Sequence, residues 1–226
     1  MLMEAREEIL QRVRTALSDV PPDEKPEDVP VPRDYARSRQ VDVVGLFAER
    51  VADYDATVHF VDPRDVPEAL AVALAGARQV AVPADLPDSW LTALATETAV
   101  LRDSSDVPVS DLHEVDAVVT GAAVGIAETG TIVLDASARQ GRRVLSLLPH
   151  LHVCVISSDQ LVGTVPEAVS RLDLTRACTW ISGPSATSDI ELARVEGVHG
   201  PRTLQVLVVR ERPAASAVQR AKRHDE

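Results

Sequence analysis

Apolar residues recur at helical spacing in the first twenty residues of the chain. Ile9, Leu10, Val13 and Leu17 fall on one face, with charged side chains elsewhere on the helical wheel. The pattern predicts an amphipathic helix over residues 1–20. A single helix of this length is marginally stable in water, so we expect it to dock on the body of the protein or on a second subunit of a homo-oligomer.

Prolines interrupt this helical pattern after residue 20. Residues 21–40 hold five prolines among acidic residues, a composition that suits neither a helix nor a central strand. We therefore expect residues 1–40 to form an N-terminal helical arm with a proline-rich linker.

Short valine-rich runs alternate with helix starts from residue 41 onward. Residues 41–52 predict a helix, and three later helix starts share a capping residue, a proline in the first turn and an acid three residues on. These starts are Asp65–Glu68, Asp85–Asp88 and Thr164–Glu167. The predicted strands are Thr57–Val61, Gln79–Pro83, Thr98–Arg102, His152–Ser157, Cys178–Gly183 and Leu204–Val209. The alternation predicts an α/β domain over residues 41–212, with a mixed, mostly parallel sheet flanked by helices. Residues 213–226 are expected to form a polar tail.

One segment departs from this alternation. Residues 116–126 and 131–136 are both apolar and are joined across Ala-Glu-Thr-Gly, which predicts a hairpin and therefore mixed strand directions. Gly121, Gly125 and Gly130 permit tight turns or a close approach of the backbone to a ligand. Glu128 at the tip could act as a base, a nucleophile or a ligand anchor, or simply as a solvated turn residue.

Composition and charge exclude several classes of function. The net charge of −12 repels phosphate and argues against a nucleic-acid or anionic-membrane partner. The two cysteines, Cys154 and Cys178, are too few for a structural zinc site or an iron–sulfur cluster, and we expect both to be buried in a reducing compartment. Acidic residues near the amino terminus and the absence of a long apolar run predict a cytoplasmic protein without a signal peptide or membrane span.

A second polar stretch, Ser182–Pro201, begins where a strand is predicted to end, the position at which open α/β sheets bind ligands. Ser182, Gly183 and Ser185 offer hydroxyls and backbone amides suited to an oxyanion or a phosphate. Ser188 is expected to cap a short helix, and Asp189 could satisfy the loop backbone. His199, within Gly-Val-His-Gly-Pro, fits equally a titrating catalytic group and a hydrogen bond that pins the turn.

Three further sets of residues have simpler explanations. His150 and His152 would share one face of a strand, but no acid or cysteine completes a metal site, so no metal is predicted. Arg142 and Arg143 could meet an anion or lie in solvent. Trp90 and Trp180 are expected in the core or at an interface.

These motifs resemble a known family. Residues 125–134 (GIAETGTIVL), 147–157 (LLPHLHVCVIS) and 182–201 (SGPSATSDIELARVEGVHGP) are similar to the LUD-domain family, and within it to the LutC/YkgG branch, the lactate utilization protein C group. The resemblance covers residues 41–210. It implies a fold like that of the NagB/RpiA/CoA-transferase superfamily and a part in converting L-lactate to pyruvate with iron–sulfur partner proteins. The chain lacks the cysteines of the cluster-binding component, so the resemblance points to the cluster-free component, for which no cofactor is predicted.

The resemblance also selects site residues. Its motif falls on Glu128, Thr129 and Gly130, on Ser182, Gly183, Ser185, Asp189 and Glu191, and on His199. From this set, Glu128 and His199 are the predicted catalytic residues and the others are predicted to bind a small carboxylate. Many relatives carry a basic residue where this chain has Ala186, so a cation for the ligand would have to come from Arg194 or Arg202.

Three functions stay open on the sequence alone. The first is a component of a lactate-oxidising system in which Glu128, Ser185 and His199 meet a small carboxylate. The second is a non-catalytic scaffold or a small-anion sensor, favoured by the acidic surface and the arm. The third is an acyl- or CoA-transferring enzyme, because Glu128-x-Gly130 is similar to the E-x-G motif of CoA transferases.

Overall fold

The computed structural model describes residues 2–188, except 22, 29, 33 and 39, and then residues 194–196 and 200–210. The predicted polar tail, residues 213–226, lies outside the described residues. The chain divides into two compact units, Met1–Ala36 and Arg37–Glu226. Within the described residues, no helix combines the length and the apolar character needed to cross a membrane.

The first unit holds the predicted helix, but in a shorter form. Helix α1 spans Leu2–Ala16, and a short 3-10 helix follows at Pro26–Asp28. The helix ends before the predicted Val20 because the chain passes through turns that lead to Pro21, which has no backbone N–H to donate and whose ring restricts the residue before it. Within this unit, Ile9, Val13 and Leu17 remain exposed.

The second unit is an α/β domain with one large sheet and two smaller ones. Its helices are α2 Val43–Ala52, α3 Val66–Ala73, α4 Val109–His113 and α5 Val165–Arg171. Its strands are β1 Thr57–Val61, β2 Gln79–Pro83, β3 Ala99–Asp103, β4 Ala117–Thr120, β5 Val124–Ile126, β6 Thr131–Leu134, β7 Leu151–Ser157, β8 Leu161–Val162, β9 Thr179–Ile181, β10 Ala186–Ser188, β11 Arg194–Glu196 and β12 Thr203–Val209. Short 3-10 helices lie at Pro63–Asp65, Asp88–Trp90, Arg143–Ser146 and Ser158–Gln160.

Six strands form a fully parallel sheet in the order β1-β12-β7-β4-β2-β3. The central strands β4 and β7 are buried on both faces, which explains their continuous Val and Ile content. The second sheet has the order β8-β5-β6-β9, in which β5 and β6 form an antiparallel hairpin and β9 pairs with β6. The predicted hairpin is confirmed only in part, because its first arm, residues 116–126, is divided between β4 of the parallel sheet and β5 of the second sheet. Strands β10 and β11 form a separate antiparallel pair. The predicted fold class is therefore confirmed.

Side-chain alternation along β7 divides the core between the two faces of the parallel sheet. Val153 and Val155 pack with α3, where Leu70 is fully buried. Cys154 and Ile156 point to the other face and pack with α2 and with β6 of the second sheet. The second sheet therefore covers one face of the first, and this packing brings the loops that follow β6 and β9 close to the ends of the parallel strands.

The three predicted helix starts have different outcomes. Thr164 forms the complete capping box of α5 with Glu167, and α3 begins at Asp65 without a side-chain cap. The prediction of a helix after Asp85 is wrong, because only the 3-10 turn Asp88–Trp90 follows. The Asp85 carboxylate instead accepts the backbone N–H of Arg139 at 2.8 Å, so it is used in a tertiary contact and not in a cap.

Candidate functional site

A cavity of about 240 Å³ lies at the amino ends of two central strands of the parallel sheet, and we call it the amino-edge cavity. His152 and Leu204, each the second residue of its strand, form part of the wall. The rest of the lining comes from the loop before β7, from β9 and the loop that follows it, and from Gly200 and Pro201. Its described lining residues carry hydroxyls, an imidazole and backbone amides, and no acid, lysine or arginine is among them.

A chain of hydroxyl groups connects the hairpin to this cavity. The Oγ1 atoms of Thr129 and Thr131 lie 2.7 Å apart, and the Oγ1 of Thr131 lies 2.7 Å from the Oγ of Ser182. Thr131 is buried because β6 pairs with β9, which places Ser182 beside the start of β6. Two predicted site residues from segments more than fifty positions apart are thus joined through a third.

Two glycines fix these segments against the end of α2. Gly130 has a φ of +58°, and a Cβ atom there would lie 2.6 Å from the carbonyl carbon and oxygen of Arg50. Gly183 has a φ of +81°, and a Cβ atom there would meet the Cβ of Tyr54 and lie 2.9 Å from its carbonyl oxygen. Only glycine fits either position, because the conformation is left-handed and the backbone of α2 or of the turn after it is in contact. The glycines of both motifs therefore hold the neighbouring threonines and serines, one against the last turn of α2 and the other against the turn that follows it.

The Ser182–Ser185 loop is closed on its other side by the segment before β12. The backbone N–H of Ser185 donates to the carbonyl oxygen of Pro201 at 2.8 Å, and Gly200 lies against the side chain of Ser185. The last residues of the predicted motif thus return to its first residues and form one wall of the amino-edge cavity.

His152 is the buried polar group of the cavity wall. Its side chain is almost fully buried, and its Nε2 lies 2.7 Å from the Oγ1 of Thr120 on the neighbouring strand. Burial lowers the pKa of His152 to about 4, so the imidazole is neutral near pH 7. A neutral imidazole beside a small cavity can share a proton with a bound hydroxyl or carboxyl group without bringing in a charge.

Glu128 lies in a different groove. Its exposed side chain lines a surface groove of about 530 Å³ along α2, together with Asp42, Glu49 and Arg50. Its backbone N–H donates to the carbonyl oxygen of Gly163 at 3.1 Å, which fixes the hairpin tip. The structure therefore brings Thr129, Gly130, Ser182, Gly183 and Ser185 together, and it places the Glu128 carboxylate outside the lining of the amino-edge cavity.

The remaining predicted residues can be placed only in part. Asp189, Glu191 and His199 lie outside the described residues. Ser188 belongs to β10, so its predicted role as a helix cap is wrong. Arg202 is exposed and is not among the lining residues of the amino-edge cavity.

The sheet topology shows that the predicted location of the Ser182 loop is wrong. The sequence predicts this loop at the carboxyl ends of parallel strands, but β9 belongs to the second sheet and pairs antiparallel with β6. The loop consequently lies beside His152 and Leu204, at the amino ends of β7 and β12. Residue pattern identifies β9 as a strand, whereas its sheet is decided by contacts with residues nearly fifty positions away.

Three polar residues of the site and its surroundings were not among the predicted site residues. Thr131 joins the two motifs, Ser146 lines the cavity and donates from its Oγ to the carbonyl oxygen of Arg143 at 3.0 Å, and His152 forms part of the wall. The signal for His152 was a histidine two residues from Cys154 in an otherwise apolar strand. A polar group at such a position needs a buried partner, and the partner is Thr120.

The other singled-out residues have structural roles. His150 lies exposed in the turn before β7 and does not join His152, and the described residues contain no group of three or more His, Cys, Asp or Glu placed to hold a metal ion. Arg142 donates from Nε to both carboxylate oxygens of Asp103 at 3.0 Å, so it forms an ion pair with a buried carboxylate. Cys154 is buried as predicted, whereas Cys178 is half-buried.

Comparisons with known proteins place this architecture. The family model for the LUD domain matches residues 93–209. The chain is 47% identical over 210 residues to Lactate utilization protein C of Deinococcus radiodurans, covering 91% of this chain and 96% of that protein. It is 32% identical over 109 residues to the uncharacterized protein YkgG of Escherichia coli, covering 45% of this chain and 47% of that protein. A crystal structure of a DUF162 family protein from Deinococcus radiodurans superposes with a TM-score of 0.64 at 43% identity, covering 77% of this chain and 99% of that one.

Proposed function

The chain belongs to the LUD-domain family, and from that premise we propose that it is a cluster-free component of a cytoplasmic L-lactate utilization system. The observation that carries this proposal is the 47% identity to a protein named for lactate utilization, which extends over nearly the whole of both chains. The residues of the amino-edge cavity and the motifs at residues 125–134 and 182–201 lie within residues 93–209, which match the LUD-domain model.

The cavity suits a small carboxylate as ligand. At about 240 Å³ it is smaller than the roughly 300–1,000 Å³ pockets that hold drug-sized molecules. The hydroxyls of Ser182 and Ser185 and the backbone N–H of Gly183 can donate to an oxyanion, and the neutral imidazole of His152 can face the hydroxyl or carbonyl group of the ligand. L-lactate and pyruvate have these groups.

The electrons of lactate oxidation have to leave for a partner. Conversion of L-lactate to pyruvate releases an electron pair and two protons, so the reaction needs an electron acceptor. Burial raises the pKa of the Cys154 thiol to about 12, which makes it a poor thiolate ligand or redox group. We therefore propose iron–sulfur partner proteins as the electron acceptors, with this chain as the carboxylate-binding component.

Reconstitution tests the role of the chain. Lactate-dependent dye reduction is measured with the iron–sulfur partner proteins, with and without this chain. We expect the rate to fall sharply without it. A full rate from the partners alone would overturn the proposal, while a requirement for the chain that no cavity substitution affects would favour the scaffold.

Cavity substitutions separate these two readings. We expect Ser182→Ala and His152→Gln to raise the KM for lactate, with Ser170→Ala, which removes an exposed hydroxyl on α5, as the matched control. Melting curves of each variant keep a loss of folding apart from a loss of binding.

Glu128 and His199 are the catalytic residues proposed from the sequence, but the Glu128 carboxylate lies in the groove along α2 and outside the amino-edge cavity, so their role in the reaction needs its own test. Glu128→Gln is compared with Glu49→Gln, because both carboxylates are exposed in the same groove. We expect Glu128→Gln and His199→Ala to lower kcat and Glu49→Gln to leave it unchanged. Equal rates in all three would remove these two residues from the reaction.

A further inference from the structure

The opposite end of the parallel sheet carries a second cavity, of about 430 Å³, which we call the carboxyl-edge cavity. It is lined by the ends of three central strands, at Gly121 after β4, Ser157 of β7 and Val209 of β12. Open α/β sheets bind ligands at this edge, in the crevice outside the carboxyl ends of their strands. The proposed function does not use this cavity, and none of the predicted site residues that the structure describes lines it.

Hydrogen bonds tie the loops around this cavity into a fixed frame. The Oε1 of Gln160 accepts the backbone N–H of Ser157 at 2.9 Å, and its Nε2 donates to the carbonyl oxygen of Ala122 at 2.7 Å. These contacts clamp the loop after β7 to the loop after β4. The backbone N–H of Gly121 donates to the carbonyl oxygen of Arg139 at 2.6 Å, which adds the loop after β6.

Arg139 is held at the rim of this frame. Its φ is +65°, in the left-handed region, and its backbone N–H donates to the carboxylate of Asp85 at 2.8 Å. Its guanidinium carbon lies 5.9 Å from the centre of the Trp90 ring, over the ring face. Within the described part of the chain, this guanidinium makes no ion pair. A strained, hydrogen-bonded backbone thus presents an unneutralised cation at a preformed cavity.

The other residues of the lining determine which kind of ligand could pair with Arg139. Val66, Val155 and Val209 supply an apolar wall. Asp159 is a second charged side chain of the lining, of opposite sign, so the described walls carry no net charge. Together with the net charge of −12 for the chain, this balance disfavours a polyphosphate, while the single guanidinium of Arg139 can pair with one carboxylate.

We propose that the carboxyl-edge cavity binds an organic monoanion with an apolar body, its carboxylate on the guanidinium of Arg139 and its carbon chain against the valine wall. The planar guanidinium pairs with a carboxylate through two parallel hydrogen bonds. The volume fits a ligand larger than lactate, since it falls within the roughly 300–1,000 Å³ of pockets for drug-sized molecules.

This site is separate from the amino-edge cavity and does not depend on the proposed function. His152 and Ser157 mark the two cavities on the same strand, five residues apart, or about 16 Å at 3.3 Å per residue. Both sites can therefore be occupied at once.

Tryptophan fluorescence tests the proposal, because the chain has two tryptophans and each lines a different cavity. Trp180→Phe leaves Trp90 as the single reporter, and this protein is titrated with octanoate. We expect a saturable change in Trp90 emission. Octanamide, which has the same chain without the charge, is expected to produce no saturable change at the same concentrations.

Arginine variants locate the site. Arg139→Gln in the Trp180→Phe background is expected to weaken octanoate binding about tenfold or more, Arg139→Lys less, and the matched control Arg143→Gln not at all. Melting curves verify that each variant is folded. No saturable response to octanoate, an equal response to octanamide, or equal affinities for Arg139→Gln and Arg143→Gln would each overturn the proposal.

Discussion

The two ends of the parallel sheet carry cavities of opposite character. The amino-edge cavity is small and its described lining is uncharged, with hydroxyls, glycine backbone and the neutral His152. The carboxyl-edge cavity is larger and carries Arg139 and Asp159. Motif residues selected from the sequence gather at the first, while the general rule for open α/β sheets points to the second.

The second sheet explains this difference. Strand β9 pairs with β6 and delivers Ser182 to the amino ends of β7 and β12, far from the edge at which βα loops normally gather. The carboxyl edge is lined by loops that follow the parallel strands and by the loop after β6, which carries Arg139. A fold that adds a sheet to one face can therefore build a site at either end, and each end should respond to its own substitutions.

The largest expected loss of stability comes from substitution of Gly130, which holds the hairpin at the amino edge. Gly130→Ala should lower the free energy of unfolding by about 4 kcal/mol, since it adds left-handed strain to a clash with the backbone of Arg50. Gly76→Ala is the matched control, because Gly76 has a φ of +88° with no atom within 4 Å of its Cβ position, and should cost about 1 kcal/mol. Urea denaturation measures both. Equal losses would mean that the contact with α2 does not hold the hairpin.

At the carboxyl edge, the loss of a buried ion pair should lower the free energy of unfolding. Asp103 at the end of β3 is almost fully buried and pairs with Arg142, whose Nη2 also donates to the carbonyl oxygen of Val107 at 3.0 Å. Asp103→Ala should cost about 3 kcal/mol, because it leaves a partly buried guanidinium without its partner.

An exposed ion pair at the same strand end is the control for this prediction. Arg102 pairs with Asp88, whose side chain is 94% exposed, so Asp88→Ala should cost less than about 1 kcal/mol. Equal losses of unfolding free energy for Asp103→Ala and Asp88→Ala in urea denaturation would mean that burial does not strengthen the pair of Asp103 with Arg142.

Local pattern predicted the elements of the fold well, because period and capping act over a few residues. Strand β7 was predicted at His152–Ser157 and spans Leu151–Ser157, and the capping box at Thr164 is present. The helix predicted after Asp85 is absent, and the carboxylate that would have capped it instead accepts the backbone N–H of the distant Arg139.

The site was harder to predict because its geometry depends on contacts distant in sequence. Ser182 and Thr129 were selected by motif, but their link through Thr131 requires the pairing of β6 with β9. The unusual environment of Arg139 has no local signal, since its left-handed backbone is imposed by Asp85 and Gly121.

Acid should destabilise the amino edge through His152. The pKa of His152 is about 4 in the folded protein and near 6.5 when unfolded, so above pH 6.5 the histidine is neutral in both states and its full contribution is present. As pH falls from 6.5 to 4, only the unfolded chain takes up the proton, and stability should drop by about 2 to 3 kcal/mol.

Comparing His152→Gln with the wild type separates the contribution of His152 from that of the other titrating groups. His152→Gln should flatten the slope of unfolding free energy against pH between 6.5 and 4, and His150→Gln, at the exposed neighbour, should leave it unchanged. Urea denaturation at a series of pH values gives the curves. Parallel curves for the wild type and His152→Gln would show that His152 is accessible to protons in the folded state.

The smallest expected effect lies in the hydroxyl chain that joins the two motifs. Ser182→Ala removes one hydrogen bond at the exposed end of the chain, which should cost about 1 kcal/mol, and Thr131→Val removes the central hydroxyl without changing its shape and should cost about 2 kcal/mol. Because both changes remove the same contact between Thr131 and Ser182, the double variant should lose about 1 kcal/mol less than the sum of the single ones. Strict additivity in urea denaturation would mean that the two hydroxyls do not interact. The motif around Ser182 would then be held at the amino edge by the contact of Gly183 with Tyr54, by the hydrogen bond from Ser185 to Pro201 and by the pairing of β9 with β6.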